Sequence, residues 1–261
     1  MADNDPAWIY ERQLVPAIFE PWARVLVGLA RPQSGEHVLD VCCGTGVVAR
    51  LMAPIVGGAG KAVGLDFDEG MIAVGRSLSS DVEWQPGDLQ NLPFADEIFN
   101  LVVCQQGLQY LPDREAGLKQ VYRVLRPGGR IVLAVWTELA RSPAHAILFD
   151  AMGTILGMDM SKPPAWSLAD ERQLWALVSS AGFVDVDTSV KSLPATFPSA
   201  RRFVEIIFEG SSKITRQMLA QLPNERRSAF IEDVAARLRG HEVGTAIEIP
   251  MESRLLIGRK A

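Results

Sequence analysis

Short apolar runs alternate with amphipathic helical patterns between residues 36 and 136. The apolar runs predict five strands, at 37–41, 61–66, 82–85, 99–105 and 130–136. The amphipathic segments predict helices at 47–55, 69–78 and 113–125. Because strands and helices that alternate at this spacing form right-handed βαβ units, the pattern predicts a parallel α/β sheet.

The regular alternation ends after Trp136. The later patterns predict a proline-flanked apolar helix within 137–170, a helix at 171–181, a strand at 183–190, helices at 200–209, 213–222 and 224–239, and a final strand at 246–258. We therefore expect one domain over 1–261, with a ligand-binding core at 36–136 and helical insertions at 137–170 and 191–245. Both insertions follow the carboxyl ends of predicted parallel strands, where open α/β sheets bind ligands. They are expected to form a substrate cap, or alternatively to extend the core or provide a dimer surface.

Composition and charge narrow the class of protein. The 261 residues are 48% apolar and 22% charged, which is typical of a globular domain, and the net charge of −5 argues against binding to a nucleic-acid backbone. The first twelve residues contain acids where a secretory signal has bases, and the apolar stretch at 147–160 is interrupted by Asp150. Three cysteines, two of them adjacent, predict reduced thiols and no metal site. These features predict a cytoplasmic protein without nucleic-acid or membrane partners.

The candidate chemistry begins at residues 38–49, where a strand leads through a glycine turn into a helix. Glycines in such a turn let a ligand approach the backbone, and the helix presents free amide groups. The segment from Gly44 to Ala49 also fits the dinucleotide fingerprint G-x-G-x-x-A, with Asp66 placed to hold a ribose. An NAD-dependent oxidoreductase is therefore an alternative at this point.

Three features favour another cofactor. Asp40, inside the first strand's end, suits a cationic or amine-bearing ligand, whereas a pyrophosphate gains nothing from a carboxylate. The segment 87–94 places Asp88 after the third strand, where its carboxylate can accept a hydrogen bond from an adenine amine. The segment 125–130 introduces the fifth strand, and the chain lacks the Tyr-x-x-x-Lys pair of short-chain dehydrogenases.

Together these segments resemble the class I S-adenosylmethionine-dependent methyltransferases. The resemblance is to the branch that includes the ubiquinone- and menaquinone-biosynthesis C-methyltransferases and many natural-product methyltransferases. It covers residues 36–136 well and the strands at 180–190 and 246–258 loosely. The chain departs from the family at Cys42, where the first glycine of Asp-x-Gly-x-Gly-x-Gly usually stands. The fold that this resemblance implies is a Rossmann-like doubly wound sheet of seven strands, in the order 3-2-1-4-5-7-6 with strand 7 antiparallel.

The resemblance also implies roles for individual residues. Methionine-binding positions are Asp40, Cys42, Gly44, Thr45 and Gly46, and Asp66 is expected to hold both ribose hydroxyls. The remaining cofactor-binding positions are Phe67 and Met71 around the adenine, Asp88 on its amino group, Leu89 beside it, and Gln105 near the cofactor amine. Phe67 and Met71 as plain packing residues, and Asp66 and Asp88 as turn formers, are the alternatives.

The reaction that follows is methyl transfer to a small molecule. Gln106 is expected to face the methyl group and the substrate, and His145 and Tyr10 are further catalytic candidates. His241 is a candidate base like His145, and for both histidines a surface or capping role is the alternative. For the segment around Tyr10, which could fold over the cofactor, the alternative is an amphipathic helix packed on the core. The many aromatic and methionine residues of the insertions favour an apolar, planar acceptor. A non-catalytic cofactor-binding scaffold remains a second alternative, and a homodimer is a possible assembly.

Overall fold

The computed structural model describes residues 5–210 and 223–261. The chain divides into two compact units, and the single domain with insertions stays a prediction. Unit 1 comprises Met1–Phe19, Glu138–Pro163 and Ser192–Glu252, and unit 2 comprises Glu20–Thr137, Pro164–Lys191 and Ser253–Ala261. Unit 1 therefore groups the amino-terminal segment with most of both predicted insertions. The helix predicted at 213–222 lies outside the described residues.

The sheet has the predicted topology. Its strands are β1 (His37–Val41), β2 (Lys61–Asp66), β3 (Glu83–Pro86), β4 (Phe99–Gln105), β5 (Leu125–Trp136), β6 (Phe183–Phe197), β7 (Glu242–Val243) and β8 (Ala246–Lys260). The order is β3-β2-β1-β4-β5-β8-β6, and the two-residue β7 pairs with β8. Strands β1 to β5 are parallel and β8 runs antiparallel to β5. The predicted order 3-2-1-4-5-7-6 is confirmed, with β8 as the predicted seventh strand.

Most of the described helices follow the predicted boundaries closely, but the helix at Glu20–Ala30 was not predicted. The described α-helices are α1 (Pro6–Ile9), α2 (Glu20–Ala30), α3 (Val47–Val56), α4 (Glu69–Leu78), α5 (Arg114–Val124), α6 (Pro143–Leu156), α7 (Glu171–Ser180), α8 (Ala200–Glu209) and α9 (Asn224–Arg237). Aspartates cap four of them: Asp5 accepts a hydrogen bond from the Ala7 amide of α1 at 3.0 Å, Asp68 from Gly70 of α4 at 2.8 Å, Asp113 from Ala116 of α5 at 2.9 Å, and Asp170 from Arg172 of α7 at 2.7 Å. These caps satisfy amides that have no partner inside the helix.

The core of unit 2 lies along β1, β4 and β5. Leu39, Val102 and Ile131 are fully buried, as expected for strands covered on both faces. Strand β5 begins five residues before the predicted start, because the buried Leu125 already pairs with Phe99 ahead of a register shift. Burying each of these aliphatic side chains contributes about 1.5–3 kcal/mol.

Unit 1 is mainly helical. A π-helical segment, Tyr10–Phe19, follows α1 and contains Pro16, whose missing N–H suits a widened turn. Helix α9 packs on α8 and α6, with Phe208 stacked on Phe230 at 5.2 Å and Arg237 paired with Asp150 at 2.7 Å. Among residues 5–210 and 223–261, no helix is long and apolar enough to cross a bilayer.

Candidate active site

The turn after β1 has a left-handed backbone conformation at the carboxyl edge of the sheet. Cys42, Gly44 and Gly46 all have left-handed φ angles, of 55°, 58° and 79°. The Gly46 amide donates to the Cys43 carbonyl at 2.8 Å, and α3 begins at the next residue. Helix α3 therefore begins at the carboxyl edge, where amides of its first turn lack partners inside the helix and can donate to an anionic or polar ligand group.

Trp84 of β3 fixes the shape of this turn, and the sequence analysis missed it. A Cβ atom added to Gly46 would lie 2.3 Å from Trp84, and one added to Gly75 would lie 2.5 Å from it. The indole donates to the Ser79 carbonyl at 3.0 Å and is buried. Three glycines opposite one tryptophan, Gly46, Gly64 and Gly75, were the available signal.

Asp40 is the most unusual ionisable group at this edge. It is 1% exposed, and its Oδ2 accepts a hydrogen bond from the Ala49 amide of α3 at 3.0 Å. Its Oδ1 is buried and has no hydrogen-bond partner among the described residues. Burial raises the pKa of Asp40 to about 8, the Ala49 bond opposes that change, and the charge of Asp66 adds to it. A ligand that brings a positive charge or a donor to Oδ1 would compensate this buried acceptor.

Asp66, at the end of β2, links two turns. Its Oδ2 accepts from the Gly44 amide at 2.7 Å and its Oδ1 from the Asp68 amide at 2.9 Å. Burial raises its pKa, and these backbone hydrogen bonds oppose the rise. A carboxylate offers about four lone-pair positions, so each oxygen keeps capacity for one hydroxyl donor. The predicted ribose contact is compatible with this arrangement and stays a prediction.

The predicted adenine-binding residues differ in exposure. Phe67 is 82% exposed, so it is not a plain packing residue, whereas Met71 is half-buried. Asp88 caps the short helix Leu89–Asn91 through the Gln90 amide at 2.8 Å, which is the turn-forming role considered above. Leu89 is 3% exposed and belongs to the core. The adenine contacts of these four residues stay predictions.

A second group of polar residues lies at the end of β4. Gln105 is half-buried, while Gln106 is buried and has a φ of 56°. Gln106 donates through Nε2 to Ser253 at 3.0 Å and accepts from Gln109 Nε2 at 3.2 Å. Gln109 and Ser253 were not predicted. Three glutamines within residues 105–109 were a signal for the first, but nothing local marks the second.

The other two catalytic candidates belong to unit 1. His145 is buried, its ring meets that of Phe203 edge-on at 5.4 Å, and burial lowers its pKa to about 4. The Tyr10 ring stacks on Phe19 at 4.9 Å. These ring contacts both lie inside unit 1, and the catalytic roles of His145 and Tyr10 stay predictions.

The cysteines are reduced. Cys42, Cys43 and Cys104 form no disulfide. A hydrogen bond with Cys104, together with burial, raises the pKa of Cys42 well above its usual value, and burial does the same for Cys43. Within the described part of the chain, no three His, Cys, Asp or Glu side chains form a metal-binding group.

The fold is Rossmann-like, with a glycine turn and two aspartates, Asp40 and Asp66, at the carboxyl edge of its sheet. Residues 38–129 match the family described as a methyltransferase domain. The demethylmenaquinone methyltransferase of Staphylococcus epidermidis is 32% identical over 181 residues, which span 63% of this chain and 75% of that protein. The chain belongs to the S-adenosylmethionine-dependent methyltransferase family.

Two further comparisons show where the similarity lies. The chloroplastic 2-phytyl-1,4-beta-naphthoquinone methyltransferase of Arabidopsis thaliana is 39% identical over 118 residues, covering 42% of this chain and 45% of that protein. This chain thus spans about half the length of several of its curated relatives, between 45% and 56%. The structure of Haemonchus contortus phosphoethanolamine N-methyltransferase 2 in complex with S-adenosyl-L-methionine shares the fold, with a TM-score of 0.59, 16% identity, and coverage of 98% of this chain and 57% of that one.

Proposed function

We propose that this protein transfers a methyl group from S-adenosylmethionine to a small aromatic molecule. The observation that carries the proposal is the unpartnered, buried Oδ1 of Asp40 beside a glycine turn. A buried acceptor of this kind suits the ammonium group of the cofactor's methionine part, and it disfavours the pyrophosphate of NAD. The comparisons give no support to an oxidoreductase or to a non-catalytic scaffold.

The chain's own residues then bind and orient the cofactor. Asp40 and the backbone of residues 42–46 would hold the methionine part, Asp66 the ribose, and Phe67, Met71 and Asp88 the adenine. When bound, S-adenosylmethionine supplies a methyl group that its sulfonium already activates. The remaining task of the protein is to align the acceptor and exclude water.

The names of the relatives suggest the acceptor. The Staphylococcus protein is named for demethylmenaquinone and the Arabidopsis protein for 2-phytyl-1,4-beta-naphthoquinone, so both names contain a quinone. An electrophilic methyl group requires an electron-rich acceptor, so the ring reacts in its reduced, dihydroxy form. The new C–CH₃ bond replaces a ring C–H bond, and the proton leaves to a base or to water. His145 and Tyr10 remain the candidate bases, and a depressed pKa keeps His145 neutral at pH 7.

The insertions are proposed to supply the acceptor's apolar surroundings. They follow β5 and the predicted end of the strand at 183–190, and they carry aromatic and methionine side chains. Such side chains suit an apolar planar molecule. We also propose that the acceptor is a natural product and that the protein is cytoplasmic. A homodimer is the proposed assembly, and light scattering tests it.

Titration calorimetry tests the cofactor assignment. The full chain is titrated with S-adenosylhomocysteine and, in parallel, with NADH. Micromolar binding of S-adenosylhomocysteine alone is expected, and binding of NADH alone would overturn the assignment. The acceptor assignment is tested by incubation with S-adenosylmethionine and a prenylated 1,4-dihydroxynaphthalene. Mass spectrometry should show a gain of one methyl group on carbon, and no gain with the oxidised quinone.

A further inference from the structure

Three side chains at the carboxyl edge of unit 2 form a buried hydrogen-bonded chain. Ser253 Oγ donates to the Val135 carbonyl at 2.9 Å, Gln106 Nε2 donates to Ser253 Oγ at 3.0 Å, and Gln109 Nε2 donates to Gln106 Oε1 at 3.2 Å. Ser253, Gln106 and Gln109 are each at most 6% exposed. The chain begins on β5 and β8 and ends just after β4, so it crosses adjacent strands at the ligand edge.

The Val135 carbonyl sets the direction of every bond in this chain. A carbonyl oxygen only accepts, so the Ser253 hydroxyl must donate its single hydrogen there. Ser253 then accepts from the amide nitrogen of Gln106, which leaves the Gln106 oxygen as an acceptor. Gln109 must present its nitrogen to that oxygen. The side-chain oxygen of Gln109 is therefore fixed as the free end of the chain.

This free end is buried and has no donor. Gln109 is 2% exposed, and its Oε1 has no hydrogen-bond partner among residues 5–210 and 223–261. Its backbone is held in place, since the Gln109 carbonyl accepts from Arg114 Nη2 and from Ser167 Oγ, both at 3.0 Å. Flipping the Gln109 side-chain amide would not help, because its oxygen would then face the Gln106 oxygen without a hydrogen between them. A purely structural chain gains nothing from ending on an unpaired acceptor.

The chain also holds Gln106 in a strained backbone conformation. Gln106 has a φ of 56°, which favours glycine, and its amide donates to the Ala134 carbonyl at 2.8 Å. Strained, non-glycine residues of this kind persist where the surroundings fix them, and they cluster at ligand sites. The strain and the unpaired oxygen therefore occur within one turn, four residues long, after β4.

We propose that Gln109 Oε1 accepts a hydrogen bond from a ring hydroxyl of the methyl acceptor, with Ser253 and Gln106 as the positioning residues that fix its polarity. This inference rests on the proposed function, because it names a contact of the acceptor in the same site. It predicts that the site selects hydroxylated rings over their methyl ethers.

The experiment compares two probes in the presence of S-adenosylhomocysteine and without oxygen. These are 1,4-dihydroxynaphthalene and 1,4-dimethoxynaphthalene, titrated into the full chain in a calorimeter. The dihydroxy probe should bind about tenfold more tightly, since the ether leaves a buried acceptor unpaired. Gln109→Met should reduce this preference to less than about twofold, and Ser253→Ala should weaken it because Gln106 is then free to turn.

Two further variants separate this role from a structural one. Gln109→Glu should keep the preference, because burial favours a protonated carboxyl that offers the same donor and acceptor. Gln173→Met, on the exposed surface of α7, is the matched control and should behave as the wild type. All variants should retain S-adenosylhomocysteine binding, and melting curves report whether each one folds.

The outcomes are distinguishable. If the wild type binds no S-adenosylhomocysteine, the proposed function fails and this inference fails with it. If it binds S-adenosylhomocysteine but shows no preference between the probes, or if Gln109→Met keeps the preference, the hydroxyl contact is wrong while the cofactor assignment stands.

Discussion

Two neighbouring turns of unit 2 show contrasting designs. The turn after β1, residues 42–46, and the turn after β4, residues 106–109, both hold one non-glycine residue in the left-handed region, Cys42 at 55° and Gln106 at 56°. They touch each other, since a Cβ added to Gly107 would lie 2.4 Å from the Cβ of Cys42. The first turn presents mainly backbone and lies beside one buried carboxyl group, that of Asp40 on β1, whereas the second presents amide side chains.

The difference indicates a division of roles. Backbone amides and a carboxylate recognise groups of the cofactor, and the cofactor is the same whichever acceptor is methylated. The first turn therefore does not need to discriminate between acceptors. Side-chain amides have direction, and their hydrogen bonds discriminate between donors and acceptors. We therefore infer that the first turn serves the cofactor and the second serves the acceptor. Changes in the first should impair stability and cofactor binding, and changes in the second should alter selectivity.

The largest expected effect concerns the carboxyl group of Asp40, beside the first turn. Burial raises the pKa of Asp40 to about 8 from 3.8, so the unfolded state releases this proton at lower pH than the folded state. The stability that the protonated form provides is complete below the unfolded pKa and is lost as pH rises towards the folded pKa. Relative to Asp40→Asn, the wild type should lose about 1.4 kcal/mol per pH unit, or about 4 kcal/mol from pH 5 to pH 8. Urea unfolding of both proteins across this range measures the difference.

Cofactor binding gives an independent check on Asp40. A cationic ligand beside the carboxyl group lowers its pKa, so binding should release a proton at neutral pH. Calorimetry in buffers of different ionisation enthalpy measures that proton, and Asp40→Asn should abolish the release. In the urea experiment, the same pH dependence of unfolding free energy in the wild type and in Asp40→Asn would contradict a protonated Asp40.

The next effect tests how closely the first turn is packed. In Gly46→Ala the added Cβ would lie 2.3 Å from Trp84, at a φ of 79°. Overpacking and backbone strain together should cost about 3 kcal/mol of unfolding free energy. Gly157→Ala is the matched control, because Gly157 has the same left-handed conformation, with φ of 65° and ψ of 32°, but nothing within 4 Å of the added atom. Its cost should be only about 1 kcal/mol, and equal losses would show that Trp84 does not limit the turn.

The contact between the two turns is tested by a double-mutant cycle. Gly107→Ala should cost about 2 kcal/mol, because its Cβ would overlap that of Cys42. In the double variant Cys42→Gly/Gly107→Ala the overlapping atom is gone, so a coupling of about 1–2 kcal/mol should appear in unfolding measurements. Additive losses would mean that the turns are independent, and the division of roles would then lack this physical link.

The sequence predicted the first turn far better than the second. Strands β1, β2 and β4 and helix α4 begin and end at the predicted residues, because hydrophobic periodicity and turn residues are local signals. The partner of Gln106 lies 147 positions away in Ser253, and no local pattern reports such a contact. Strand β6 extends to Phe197, beyond the predicted end at Val190, since its exposed, polar middle lacks an apolar pattern.

The smallest of these effects is on cofactor affinity at Asp66. Asp66→Ala should weaken binding of S-adenosylhomocysteine by more than about tenfold, because two charge-assisted hydrogen bonds to the ribose would be lost. The same change removes the acceptors of the Gly44 and Asp68 amides, so some loss of stability is expected as well. Asp81→Ala, in an exposed turn, is the control for a lost surface charge. If affinity is unchanged while the melting temperature falls, Asp66 only stabilises the backbone at Gly44 and Asp68 and does not contact the ribose. The first turn then binds its ligand through Asp40 and backbone amides alone.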